Sequence, residues 1–210
     1  MLDICWECGA ERSDKNIRPD GSETAIAVCP ECGHEHTFRY VRLPIVSGAA
    51  GTGKTTVQRA LVNELDGWVL LEYDDLLHDA MTFESDVTFI DYCLKICRDV
   101  AQSGGAIAFF GTAPGVPDNV EPCDRRRYFS DVCYLALTCE EAAQRQRLET
   151  RAKQISDTAV ESQVEFNQWF RQHADEEGVE LLDTTETDPR ETITAVGTWL
   201  RDHGPELNDS

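Results

Sequence analysis

The sequence predicts an α/β domain built on a parallel sheet, preceded by a small module stapled by metal. Three observations predict it. From residue 41 onward, short β-rich or apolar runs alternate with helical patterns, as in a parallel sheet. Ser47-Gly48-Ala49-Ala50-Gly51-Thr52-Gly53-Lys54-Thr55-Thr56 is a glycine-rich turn between one such run and a helix. Ahead of both stand two C-x-x-C-G units, Cys5-Trp6-Glu7-Cys8-Gly9 and Cys29-Pro30-Glu31-Cys32-Gly33. The expected boundaries are 1–41 for the module, 42–204 for the α/β domain and 205–210 for a frayed tail.

The paired cysteines read as a zinc ribbon. Twenty residues, 9–28, separate Cys8 from Cys29, within the range for paired knuckles. Cys5, Cys8, Cys29 and Cys32 then supply four thiolates to a closed, structural Zn²⁺ site. With so little apolar sequence here, the metal is expected to supply much of the folding energy. His34 and His36 are alternative ligands or solvated residues on a strand over 36–41, and the second is expected. The polar stretch 11–24, with Pro19-Asp20-Gly21-Ser22, reads as a loop between ribbon strands. The linker at 40–42 is short, so the ribbon should lie close to the second domain.

The glycine-rich turn fits G-x-x-x-x-G-K-[ST], a phosphate-binding loop. Its flanks fit too: a strand over 41–46 before it, a helix over 55–65 after it, with Val57, Leu61 and Leu65 on one face. Gly48, Gly51 and Gly53 let the backbone curl so that the amides of 48–56 (Ala49, Ala50, Thr52 and Thr56 included) cradle a polyphosphate at a helix start. Lys54 supplies charge to the β- and γ-phosphates and Thr55 a hydroxyl ligand for Mg²⁺.

The remaining elements follow in order. A second strand over 68–72 ends in Tyr73-Asp74-Asp75-Leu76-Leu77-His78, which puts carboxylates where ligands bind in open α/β sheets. A helix over 88–102 carries Cys93 and Cys97, expected as buried core thiols rather than ligands. The apolar run 106–110 is the central strand. No Asp follows it directly, so a second acidic partner for Mg²⁺ is missing there. Arg125-Arg126-Arg127 is the longest basic run, read either as a solvated patch or as an approach to phosphate. A fourth strand over 132–137 precedes a helical pattern from residue 140 bearing Arg145, Arg147 and Arg151. Phe166, Trp169, Phe170 and Ala174 cluster on a helix over 160–174, as core rather than as a base-stacking platform. A fifth strand over 179–182 and a helix opened by Pro189 complete the domain.

Composition sets the partners. The 210 residues carry 19 basic and 39 acidic side chains, a net charge of -20, and only Lys15, Lys54, Lys95 and Lys153 as lysines. Such a surface suits a folded protein working in high salt, a halophilic trait, and disfavours duplex nucleic acid. RNA is not excluded, and the ribbon is a candidate surface for a protein partner. No membrane span is expected. The chain opens with neither a basic nor an apolar leader, so a cytoplasmic protein is expected.

From residue 43 to about 203 the chain resembles the small P-loop kinases, the group of nucleoside, nucleotide, shikimate and gluconate kinases. The phosphate loop, Asp74-Asp75 after the second strand and the arginines after the fourth carry the resemblance. Tyr128-Phe129, Arg147-Leu148-x-x-Arg151 and Leu182-Asp183-Thr184 look nucleoside-kinase-like. The resemblance implies a three-layer P-loop NTPase fold with sheet order 2-3-1-4-5, a mobile lid after the fourth strand, and ATP and Mg²⁺ as cofactors. It implies transfer to an alcohol group of a small-molecule acceptor, and makes a nucleotide-switched binding protein the rival reading. It gives Asp75, then Asp74, the role of activating that hydroxyl, and Arg147 and Arg151 that of stabilising the transferring phosphoryl group. The paired arginine-glycine motifs that hold an acidic acceptor in shikimate and nucleotide kinases are missing, and the ribbon lies outside the usual group.

Overall fold

The computed structural model of the protein describes residues 2–76, 83–150 and 156–205. Strands β1 (Asn16–Pro19), β2 (Thr24–Val28) and β3 (Glu35–Arg39) form an antiparallel sheet in the order β1-β2-β3. The stretch expected as a loop therefore contains β1, which reaches β2 through the Pro19–Thr24 turn. The second sheet holds β4 (Leu43–Ser47), β5 (Trp68–Glu72), β6 (Ala106–Phe110), β7 (Val132–Thr138) and β8 (Val179–Asp183). Its order is β5-β6-β4-β7-β8 and every pairing is parallel. Counted within the domain, that order is 2-3-1-4-5, as expected.

Helices α1 (Lys54–Leu61), α2 (Tyr73–Leu76), α3 (Asp86–Gln102), α4 (Pro117–Val120), α5 (Glu141–Glu149), α6 (Asp157–Glu177) and α7 (Pro189–His203) connect and cover the strands. β4 and β6 are buried along their whole length, so their side chains divide between two cores. Leu43, Ile45, Phe109, Tyr134 and Ala136 pack with Phe89, Leu94 and Cys97 of α3 and Phe170 of α6. Val46, Ala108, Phe110, Leu135 and Leu137 pack with Val57 and Leu61 of α1 and Val196 and Leu200 of α7. Helix, sheet and helix thus form three layers. Cys93 and Cys97 are fully buried, as expected of core thiols.

The ribbon sits at the end of the sheet where the strands begin. Leu2, Ala25, Ala27 and Phe38 share a small core with Tyr128, which belongs to the second domain. The Tyr128 hydroxyl donates to the Ser13 carbonyl (3.0 Å). Gln102, at the end of α3, donates to the Arg39 carbonyl (2.8 Å) and accepts from the Arg39 amide (2.9 Å). His36 is 2% exposed, ring edge-on to Trp6, so the expected solvated histidine is buried. Alternation along β3 turns its side chain inward with that of Phe38.

The three adjacent arginines are held in ion pairs away from the phosphate loop, with Arg127 exposed at the surface and Arg125 and Arg126 half-buried. Arg125 pairs with Asp91, and with Asp3 at 3.5 Å; Arg126 pairs with Glu121 at 3.0 Å; Arg127 pairs with Asp124 at 3.2 Å. They precede β7, whose first residue Val132 is in register with Leu43 at the start of β4. The phosphate loop follows the other end of β4, roughly 13 Å away at about 3.3 Å per residue.

Candidate functional site: a phosphate loop between a threonine-lined cleft and a carboxylate wall

The phosphate loop links the end of β4 to α1, at the carboxyl edge of the parallel sheet. Gly48 adopts φ +137°, and a Cβ there would lie 2.3 Å from the Leu137 carbonyl oxygen. Only glycine fits the turn. The Lys54 ammonium is buried in the loop, donating to the carbonyls of Gly48 and of Ala49 (3.0 Å). Thr55 and Thr56 open α1 exposed. The loop is stitched to its neighbours. Ser47 Oγ donates to the Thr112 carbonyl (3.2 Å), and Thr112 Oγ1 donates to the Gly48 carbonyl (3.2 Å).

Two glutamines that sequence reasoning passed over hold the loop from the other side. Gln144, buried on α5, donates to the carbonyls of Ala50 (2.9 Å) and Gln163 (3.0 Å). Gln163 in turn accepts from the Ala50 amide (2.6 Å). No local sequence signal marks these residues, because their partners are distant in the chain.

A cleft of about 340 Å³ adjoins the loop on the β7–β8 side. Its walls include Gly51, Thr56, Arg147, Thr184 and Pro189. Arg147 donates to Thr184 Oγ1 (3.1 Å) and to the carbonyls of Thr184 (2.6 Å) and Thr185 (3.3 Å). Its guanidinium plane is thereby fixed along the cleft. Arg151 and His78 lie outside the described residues.

On the other side, β5 ends in Glu72 and α2 begins with Tyr73, Asp74 and Asp75. Asp74 and Asp75 are exposed. Glu72 is not: its Oε2 is buried without a hydrogen-bond partner among the described residues. Burial pushes its carboxyl up to about 6, with Asp74 and Asp75 adding to the rise and the Lys54 charge opposing it. Sequence reasoning missed Glu72, although a carboxylate closing an apolar strand beside a phosphate loop was the available signal.

The cysteine site lies apart from all this, in the ribbon. Each knuckle closes with the same bond, Gly9 N–H to Cys5 and Gly33 N–H to Cys29, both 2.9 Å, and both glycines have φ +74°. The four sulfurs lie within 4.8 Å of one another, with Cys5–Cys32 at 3.6 Å and Cys8–Cys29 at 3.8 Å. A tetrahedral Zn²⁺ at ~2.3 Å from each sulfur sets them about 3.8 Å apart, so the donor set fits the ion.

Comparison with known proteins agrees with this architecture. The chain is similar to a sugar kinase from a Janibacter species, with 18% identity, 80% of this chain and 99% of that one covered, and a TM-score of 0.58. It is similar to the tunicamycin resistance protein of Deinococcus radiodurans, at 15% identity, 76% and 95% coverage and a TM-score of 0.51. It is also similar to the shikimate kinase of Bacteroides thetaiotaomicron, at 16% identity, 77% and 97% coverage and a TM-score of 0.50. No family model and no curated protein sequence matches the chain. The likenesses establish the fold: a P-loop kinase fold, carried here behind a ribbon whose four cysteines fit zinc. No helix among the described residues is long and apolar enough to cross a membrane.

Proposed function

We propose that the protein is an ATP- and Mg²⁺-dependent phosphotransferase acting on a hydroxyl group of a small metabolite. The observation that carries this reading is the position of the phosphate loop, between the Arg147 cleft on one side and the Glu72–Asp75 wall on the other. That is the layout phosphoryl transfer needs, because positioning and charge neutralisation do most of the work. The amides of 48–56 and Lys54 hold the β- and γ-phosphates. The nucleoside end lies in the cleft along Arg147, within reach of Pro189 and the threonines. Thr55, with a carboxylate from the wall, would hold Mg²⁺, which would supply charge neutralisation for the transfer. Arg147 and Arg151 serve the donor side.

The acceptor hydroxyl approaches the wall. The resemblance gives its activation to Asp75, with Asp74 second. Glu72, which closes β5 beside the phosphate loop and whose carboxyl burial raises to about 6, is a further candidate for that base. Residues 1–41 form a zinc-stabilised ribbon and 42–204 the kinase domain, working in the cytoplasm.

The test is phosphoryl transfer from ATP to a panel of nucleosides and sugars, with Mg²⁺ and high salt. Formation of a phosphorylated product supports the reading. ATP hydrolysis that stays slow with every acceptor would favour a nucleotide-switched binding protein instead.

A further inference from the structure

We infer that Gln144 and Gln163 are positioning residues for phosphate binding. By holding Ala50 from both sides, they set which backbone amides the loop offers to a polyphosphate. The inference rests on the phosphate-binding half of the reading above and not on the transfer step.

The two side chains hold two successive peptide groups. The Ala50 amide donates to Gln163 Oε1 (2.6 Å), and the Ala50 carbonyl accepts from Gln144 Nε2 (2.9 Å). Gln144 Nε2 also donates to the Gln163 backbone carbonyl (3.0 Å), which closes a ring of bonds. Both Gln144 amide protons are thereby used, each on a carbonyl oxygen. Turning that amide over would set its own oxygen against both carbonyls with no proton between, so its orientation is fixed. Gln144 is fully buried and its Oε1 has no partner among the described residues, so its polar contribution comes through those two donors.

A planar trans peptide points its C=O and its N–H in opposite directions. The 49–50 peptide turns its N–H to Gln163. The Ala49 carbonyl therefore points the other way, where it accepts from Lys54 Nζ (3.0 Å) and Thr52 Oγ1 (2.9 Å). The 50–51 peptide turns its carbonyl to Gln144, which directs the Gly51 N–H away from that side chain. The Gly51 N–H has no partner among the described residues. Gly51 adopts φ +90°, and a Cβ there would lie 3.1 Å from Leu148 Cγ and 3.3 Å from Gln144 Cγ, so α5 closes on the loop at this residue.

The neighbouring carbonyls are held as well. Gly48 accepts from Lys54 and Thr112, Gly51 from Arg147 (3.4 Å) and Thr52 from Thr184 Oγ1 (3.0 Å). Every carbonyl from Gly48 to Thr52 thus has a donor of its own. Successive N–H groups can then face an anion without an oxygen turning towards it. Within this set the two glutamines decide one exchange: the Ala50 N–H is withdrawn from the anion and the Gly51 N–H is offered to it.

The test uses the full, zinc-loaded chain, with tripolyphosphate and Mg²⁺-ATP as probes. In ¹H–¹⁵N spectra of the wild type, tripolyphosphate should move the Gly51 amide proton downfield and leave that of Ala50 in place. Gln163→Met keeps the side-chain length and removes the acceptor. It should weaken both probes in calorimetry by a similar factor, about tenfold, with the melting temperature little changed. Unchanged affinity for both probes would overturn the inference and leave the kinase reading standing. A downfield shift at Ala50 in place of Gly51 would also overturn it, and that wild-type measurement decides even if the variant folds poorly. A wild-type chain that binds neither probe would overturn the phosphate-binding reading as well.

Discussion

Asp3 of the ribbon and Arg98 of α3 form a two-point ion pair across the seam between the modules, at 2.7 and 3.3 Å. Arg98 is fully buried, its guanidinium 5.0 Å from the Tyr128 ring centre. Lys95 and Arg125 each approach Asp3 at 3.5 Å. The ribbon's first turn is thus fixed to the helix that forms one side of the α/β domain's core, and the Asp3 carboxylate serves three cations.

This pair predicts a pH-dependent stability. Burial alone would raise the Asp3 carboxyl, but the hydrogen bonds and charge of Arg98, then Arg125 and Lys95, hold it at about 2 instead of 3.8. A carboxylate depressed by folding contributes stability above its unfolded value and loses it as pH falls through the folded one. The contribution, on the order of 2 kcal/mol, should be complete above pH ~4 and disappear towards pH ~2. Asp3→Ala should cost ~3 kcal/mol at neutral pH, since it leaves Arg98 buried with Asp99 as its remaining anion. That corresponds to a fall in melting temperature of about 6–12 °C. An Asp3→Ala protein that keeps the wild-type acid slope would show that the slope arises elsewhere.

The zinc knuckles predict a coupled loss. Purified protein should hold one Zn²⁺, and Cys29→Ser should deplete it, because three thiolates leave the tetrahedron open. Tyr128 and Arg98 both take partners from the ribbon, so metal loss should also lower the melting temperature of the α/β domain. Metal analysis and a thermal melt on the same sample check this. Full occupancy in the variant would point to His34 or His36 as a replacement ligand.

The fold was legible in the sequence where the pattern is local. Apolar runs mark β4, β6 and β7, the spaced glycines and Lys54 mark the phosphate loop, and the C-x-x-C-G repeats mark the knuckles. What escaped depends on contacts between distant residues. The role of Arg125 is decided by Asp3 and Asp91, neither of which is near it in the chain. His36 is buried because Phe38, two positions on, must face Tyr128. Glu72 ends an apolar run like any strand-closing residue, and the largest cause of its raised carboxyl is tertiary burial.

If Lys54 holds the donor phosphates as proposed, Lys54→Ala removes a charge-assisted contact with them. A loss of ~1.5–3 kcal/mol, or roughly 10- to 150-fold in ATP affinity, is expected, with the fold retained. Calorimetry reads it directly. Unchanged affinity would remove the phosphate-binding role from Lys54.

The last prediction separates Glu72 from Asp75. If Glu72 takes the acceptor proton, it must be ionised to act, so kcat/KM should rise with pH through about 6. Glu72→Gln should abolish that limb and slow transfer by about 10²–10⁴ while ATP still binds. The same raised carboxyl gives the stability signature opposite to that of Asp3. Ionising a group whose pKa is raised by folding costs stability as pH climbs through 6, so Glu72→Gln should melt higher than wild type at pH 8. Asp75 has a different alternative role, because it sits exposed in the first turn of α2, where an acidic side chain favours the helix dipole. In that role Asp75→Asn costs a few tenths of a kcal/mol and leaves turnover nearly intact. If Asp75→Asn instead stops transfer at an unchanged melting temperature, and Glu72→Gln keeps its pH limb, the proton goes to Asp75, and the burial of Glu72 serves the metal or the acceptor rather than the chemistry.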